Sequence, residues 1–179
     1  MMRSNVEPTV HQVRRDGYSF SRLTPYEDWE RFVNAAKTGW QTYVDAFEPE
    51  ELHRVVVRFI NRLDFPLDEF RVNPDSFLTN APRSPGTSGW EFANFSHSYA
   101  LVVPGAPCMV KLNLAKLSEP GQDRLASMLL DIEVLLTQPL SALGMNVDDA
   151  LSMMRRIKNE AFFHSLTDKG LSRYHPTQT

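Results

Sequence analysis

The spacing of apolar residues changes twice along this chain of 179 residues, and that change constrains the fold more than any other feature. Residues 25–47 and 147–161 repeat apolar side chains every three or four positions, which is typical of one face of an α-helix. Residues 55–65 and most of 90–137 repeat them at every second position, as strands with one buried face do. The pattern predicts an α+β fold, in which a curved antiparallel β-sheet has two long amphipathic helices packed on one face.

The first helical segment carries the strongest local signals. Thr24 is a candidate N-cap, Pro25 stands at the first helical position, and Glu27 can bond back to the cap. The sequence therefore predicts a helix over residues 25–47. A second helix is predicted to begin after Asn146, whose side chain can cap it.

The strand predictions follow from alternation and from turn residues between the alternating runs. Short connections favour antiparallel pairing, in a sheet with one buried face and one face that is more exposed to solvent. The sequence predicts a hairpin at 10–22, a strand at 51–65, and a meander of three strands at 90–103, 108–114 and 128–136.

Length and composition limit the class of protein. A single domain over residues 1–179 is expected, with disordered tails at 1–8 and 175–179. The net charge of −3 lacks the basic surplus of most nucleic-acid binders, so nucleic acid is a disfavoured partner. The single cysteine, Cys108, excludes an intramolecular disulfide. No segment resembles a signal peptide or a membrane span, so a cytoplasmic location without membrane contact is expected.

A row of arginines is the most prominent chemical feature. Arg54, Arg58 and Arg62 share one face of the predicted strand at 51–65. Such a row could bind phosphates or an acidic partner, because each guanidinium offers a planar fork of donors. The alternative is an ordinary solvated face, paired with Asp131 and Glu133 if their strand is adjacent. The alternative is favoured, because cross-strand ion pairs are common.

Other polar residues give no catalytic pattern. His53 and His97 share the parity of apolar neighbours and are expected to be partly buried, and Cys108 is expected in the core. The histidines lack the spacing of a metal-binding pair, and no nucleophile or phosphate-loop motif is present. The sequence therefore predicts no catalytic residue, metal site or cofactor, and it favours a non-enzymatic protein.

Two aromatic residues are candidates for a binding surface. Trp90 and Phe92 share the parity opposite to Phe95 and Tyr99 in the predicted strand. If Phe95 and Tyr99 face the core, Trp90 and Phe92 form an exposed aromatic patch. Such a patch is typical of a surface that binds a partner or of the entrance to a ligand pocket. Coverage by the preceding Pro-rich loop is an equally weighted alternative.

Several short motifs resemble a sporadically distributed bacterial family of uncharacterised α+β proteins. They are HQV at 11–13, YSFSRL at 18–23, PYEDWERF at 25–32, RFINRL at 58–63 and AFFHSLT at 161–167. The resemblance covers about the first third of the chain and the last helix, and it implies the patchy distribution of accessory genes. Members carry further N-terminal strands, so the resemblance also implies a short version or a fragment. It assigns no activity and no site residue.

Three functional hypotheses follow, in order of preference. The first is a non-enzymatic protein-interaction module of an accessory bacterial system, such as an antitoxin, immunity or chaperone-like protein, which binds another protein or itself. The second is a small-ligand binder with a cavity between sheet and C-terminal helix, by analogy with helix-grip folds. The third is a phosphate-binding or RNA-binding protein that uses the arginine row and His97.

Overall fold

A computed structural model describes residues 9–23, 28–66, 73–83, 90, 92–117 and 125–174. The predicted disordered tails and the Thr24–Glu27 capping box lie outside these residues. The chain divides into two compact units, residues 1–50 and 51–179. The prediction of an α+β fold with antiparallel sheets and two long helices is confirmed.

The first unit is a β-hairpin with one helix. Strands β1 (Thr9–Arg14) and β2 (Gly17–Arg22) pair antiparallel, and α1 (Trp29–Phe47) contacts β2. The helix begins later than predicted, because the side chain of Asp28 accepts a hydrogen bond from the backbone N–H of Arg31 and forms the N-cap.

Aromatic side chains hold α1 against the hairpin. Phe20 packs on Phe32 with ring centroids 5.3 Å apart, and Tyr18 lies 6.2 Å from Tyr43. Gly39 stands where any Cβ atom would collide with the Tyr18 hydroxyl. The glycine in the middle of the helix is therefore explained by close approach of the hairpin.

The second unit is a four-stranded antiparallel sheet with a long helix on one face. The strands are β3 (Val56–Pro66), β4 (Ser96–Val102), β5 (Cys108–Lys116) and β6 (Leu125–Leu136), in the order β3-β6-β5-β4. The predicted meander is formed by the consecutive strands β4, β5 and β6. Strand β3 pairs with the far side of β6.

Helices follow the last strand. A short α2 (Leu140–Leu143) leads into α3 (Val147–Ser165), whose N-cap is Asn146 as predicted, and α4 (Asp168–Leu171) follows. Helix α3 contacts β6, β3 and β5, and the side of the sheet that it contacts is called the inner face. Buried inner-face and α3 residues form the core: Val57, Leu63, Phe65, Val110, Leu112, Leu114, Met128, Leu130, Ile132, Val134, Ala150, Met154 and Ile157.

Two inner-face side chains, a thiol that was expected in the core and an amide, interrupt the aliphatic pattern. Cys108 is buried in the core, and burial raises the pKa of its thiol. Asn61, the polar exception in the apolar pattern of β3, donates from Nδ2 to the backbone carbonyl of Leu130, 3.0 Å away on β6. The amide therefore has a structural partner inside the sheet.

Two local predictions are wrong. The strand predicted at 90–103 is confined to Ser96–Val102, because the Asn94 side chain bonds the backbone N–H of Phe95 and offers an alternative to the ladder. His53, expected to be partly buried, has a side chain 76% exposed, since it precedes β3 instead of lying within a strand.

Candidate interaction surfaces of the four-stranded sheet

The outer face of the sheet, opposite α3, carries an ion pair in which the carboxylate is buried and the guanidinium is half-exposed. Arg58 of β3 donates from Nε and Nη2 to the two carboxylate oxygens of Asp131 on β6, at 2.9 and 2.7 Å. Asp131 is buried, whereas the Arg58 side chain is 52% exposed. The hydrogen bond to Asp131 raises the pKa of the Arg58 guanidinium, which therefore stays charged.

The other two arginines also have polar partners. Arg54 lies 4.0 Å from Glu133, which accepts a hydrogen bond from Lys111 at 3.1 Å. Arg62 donates to Asp64 at 3.0 Å and to the hydroxyl of Ser127 at 2.9 Å. The contacts agree with the paired-face alternative for the arginine row.

A phosphate bound along this row would compete with the carboxylates already in contact with it. Asp131 and Glu133, named from the sequence as possible partners of the arginine row, each contact a cation on a neighbouring strand. These contacts are what an ordinary cross-strand charge network requires, and they leave phosphate binding the least supported hypothesis.

Asp64 gives this network a pH dependence. The hydrogen bond from Ser127 (2.5 Å), followed by the bond and charge of Arg62, lowers the pKa of the Asp64 carboxyl despite its burial. Because the pKa is lower in the folded state, this stabilisation is complete above about pH 4 and disappears as the pH falls through the folded-state pKa.

We expect Asp64→Asn to be less stable than the wild type at neutral pH, by less than about 1 kcal/mol because the side chain is 40% exposed. The difference in unfolding midpoint should shrink as the pH is lowered from 6 to about 2.5. Thermal unfolding across that range measures it, with Asp16→Asn in the hairpin turn as a control for charge removal. A difference that stays constant at all pH values would contradict this role of Asp64.

Strand β4 forms one edge of the sheet. Lys116 donates its backbone N–H to the carbonyl of Phe95, and Val103 donates to that of Cys108, at 3.0 and 3.1 Å. Bonded positions alternate in an antiparallel pair, so the odd-numbered residues of β4 bond to β5. The backbone N–H and C=O groups that point away from β5 belong to Ser96, Ser98, Ala100 and Val102. No strand among the described residues pairs with them.

The two edges of the sheet differ in chemistry. The edge strand β3 carries Arg58, Arg62 and Asp64 and ends at Pro66, all of which discourage pairing with another strand. Strand β4 reads SHSYALV and contains neither a Lys, Arg, Asp or Glu residue nor a proline. Among the residues that the structure describes, nothing pairs with this edge, and it can accept a further strand.

Apolar side chains are exposed at β4. Val102 is 77% exposed and Leu101 is 47% exposed, while Trp90 ahead of the strand is 69% exposed. Phe92 is half-buried, because its ring packs edge-on against Phe95 at 5.7 Å. The predicted exposed patch of Trp90 and Phe92 is therefore wrong for Phe92 and right for Trp90.

His97 lies in an aromatic row on the inner face of β4. Its ring is 6.2 Å from Phe95 and 5.9 Å from Tyr99, whose hydroxyl is hydrogen-bonded to the Asn80 amide at 2.5 Å. The His97 Nε2 and Asn80 Oδ1 atoms are buried, and neither has a hydrogen-bond partner among the described residues. The partial burial of His97 agrees with the sequence prediction.

A groove of about 690 Å³ opens in the first unit between α1 and the hairpin. It is lined by His11, Val13, Tyr18, Ala35, Thr38, Gly39, Thr42, Tyr43, Ala46 and Phe47. The His11 Nδ1 and the Tyr18 hydroxyl are hydrogen-bonded at 2.9 Å, and burial raises the pKa of Tyr18. Sequence reasoning missed this groove, although Gly39 inside a helix was a signal of close packing there.

The described residues contain neither a candidate metal site nor a candidate membrane-spanning helix. Across residues 9–174, apart from the segments that are not described, no three His, Cys, Asp or Glu side chains are grouped to hold a metal ion. None of the helices in the described part is long and apolar enough to cross a membrane.

Comparisons of the chain with protein-family models, with curated proteins and with solved structures find no significant match.

Proposed function

We propose that this chain is a non-enzymatic protein-interaction module, which binds a partner protein by accepting an added strand at the edge of β4. The observation that carries the proposal is the row of outward backbone groups at Ser96, Ser98, Ala100 and Val102, on a strand without charge or proline. An added strand would form hydrogen bonds with these N–H and C=O groups. Groups that stay unpaired at a sheet edge favour pairing with a strand of another chain.

The side chains around β4 supply the apolar part of the interaction. An added strand would place alternate residues beside Leu101 on one face and beside Val102 on the other, both of which are exposed. Trp90 lies ahead of the strand in sequence and adds an exposed ring, the residue type most enriched in interface hot spots. Backbone bonds give affinity in this mode, and alternate side chains give selectivity.

A module of an accessory bacterial system is commonly encoded beside its partner. The products of the neighbouring genes, and a second copy of the chain itself, are therefore the first partners to test. We expect one of them to form a complex with the chain when the two proteins are produced together, and native mass measurement would give its stoichiometry. Hydrogen exchange should show slower exchange at the outward amides of β4 in the complex.

The double variant Ser98→Lys/Ala100→Lys tests the edge directly. Both side chains are exposed on the outer face, where Ala100 lies opposite Lys111 of β5, so we expect the same fold at a small cost in stability. Lysine is a residue that natural edges use to prevent pairing. We expect at least a tenfold weaker complex, because several interstrand hydrogen bonds are lost. Ile60→Lys on the edge strand β3, at a side chain 60% exposed, is the matched control and should bind normally. Equal loss in both variants would refute the assignment to β4.

A further inference from the structure

The proposed function leaves open which strand is added at β4. We infer that it is β4 of a second copy of this chain, paired antiparallel about Tyr99, so that two four-stranded sheets join into one across a twofold axis. This inference rests on the proposed function and specifies its partner.

The register follows from the length of the strand and the direction of its free groups. β4 has seven residues with Tyr99 at the centre, so pairing about Tyr99 is the register that uses the whole strand. Outward groups lie on even-numbered residues, and this register pairs Ser98 with Ala100 of the second copy, and Ser96 with Val102. Each such pair exchanges two hydrogen bonds, which gives up to ~8 bonds between the strands.

Side chains are compatible with this register on both faces. On the inner face, Tyr99 meets its own copy at a position without backbone hydrogen bonds, where cross-strand side chains are closest. Leu101, 47% exposed, meets His97 of the second copy, and on the outer face Val102 meets Ser96. The pairing therefore covers the exposed aliphatic residues of the strand.

The absence of charge and of proline favours β4 over the other edge as a site of self-pairing. A strand that pairs with its own copy brings identical charges close together, and directly opposed like charges are destabilising. β4 contains no Lys, Arg, Asp or Glu, so its self-pairing has no such penalty. About its centre, Asn61, self-pairing of β3 would place Pro66, which has no N–H to donate, opposite Val56 of the second copy.

The expected dimer is weak. A single strand pair buries less than the roughly 1,200–2,000 Å² of a standard stable interface. We therefore expect a reversible monomer–dimer equilibrium with a dissociation constant on the order of micromolar. Sedimentation equilibrium of the full chain over a concentration series from about 1 μM to 500 μM measures it.

Variants that introduce charges of opposite sign at Ser98 and Ala100 provide the decisive test. Ser98→Lys/Ala100→Lys and Ser98→Glu/Ala100→Glu each place like charges opposite one another across the twofold axis, and each should raise the dissociation constant at least tenfold. Mixed in equal amounts, the two variants should form a heterodimer, because every lysine then faces a glutamate in this register. Ile60→Lys should dimerise like the wild type.

Each outcome decides the inference. Dimer loss in both variants with recovery on mixing supports it. A wild type that sediments as a monomer at every concentration overturns it, as does a dimer that survives both charge variants. If a monomeric wild type still binds a different protein and loses it in Ser98→Lys/Ala100→Lys, the inference fails and the proposed function stands. If no protein is bound at β4 in either experiment, both fail.

Discussion

Arg58→Met is expected to destabilise the second unit by about 2–4 kcal/mol, because it leaves the buried Asp131 carboxylate without the two hydrogen bonds that it accepts from Arg58. The upper end of the range for buried pairs is not expected, since water reaches the half-exposed Arg58 side chain. Denaturant unfolding, with a slope unchanged from the wild type, measures the loss.

The double variant Arg58→Met/Asp131→Leu tests whether the loss of stability in Arg58→Met comes from the unpaired Asp131 carboxylate. Removing both charges leaves no buried unpaired group, so the double variant should be more stable than Arg58→Met alone. Lys111→Met, which breaks the exposed pair with Glu133, is the matched control and should cost less than about 1 kcal/mol. A cost for Arg58→Met no larger than this control would show that the Asp131 pair contributes only as a surface ion pair does.

Phe65→Ala is expected to have the largest effect on stability, a loss of about 3–5 kcal/mol. Phe65 is fully buried on the inner face of β3, and its ring stacks on Phe77 with centroids 4.5 Å apart. Truncation removes the buried ring and leaves a cavity that the surrounding strand cannot close. The free energy of unfolding, from denaturant titration, is the measurement.

Phe163→Ala is the control for the loss of a phenylalanine side chain. Phe163 lies on α3 and is 55% exposed, so its truncation should change the free energy of unfolding by less than about 1 kcal/mol. If Phe65→Ala and Phe163→Ala cost the same, the core is not centred on the inner face of β3.

Much of the second unit could be predicted because its signals are local. The parity of residues 55–65 separates the buried Leu63 and Phe65 from the outward Arg58 and Arg62, and the structure keeps that division. The Asn146 cap could be predicted equally well, because a capping side chain bonds a backbone N–H within the next three residues.

Local patterns misled where a neighbouring contact overrode them. Alternation from residue 90 predicted one long strand, but the Asn94 side chain bonds its own neighbour, and Phe92 packs against Phe95. The groove beside Gly39 was missed because its walls come from a helix and a hairpin that are separate in the sequence, so no local pattern shows it.

The sequence by itself determined the type and order of the long helices and strands and which side of each is apolar, because period and capping depend on residues a few positions apart. Only the tertiary structure decided that β3 pairs with β6, which brings Arg58 to Asp131 across 73 positions of sequence and leaves β4 at the edge. Strand order depends on which distant faces bury the most apolar surface together, and an alternating pattern is the same whichever neighbour the strand acquires. The open edge that carries the proposed function is a consequence of that order.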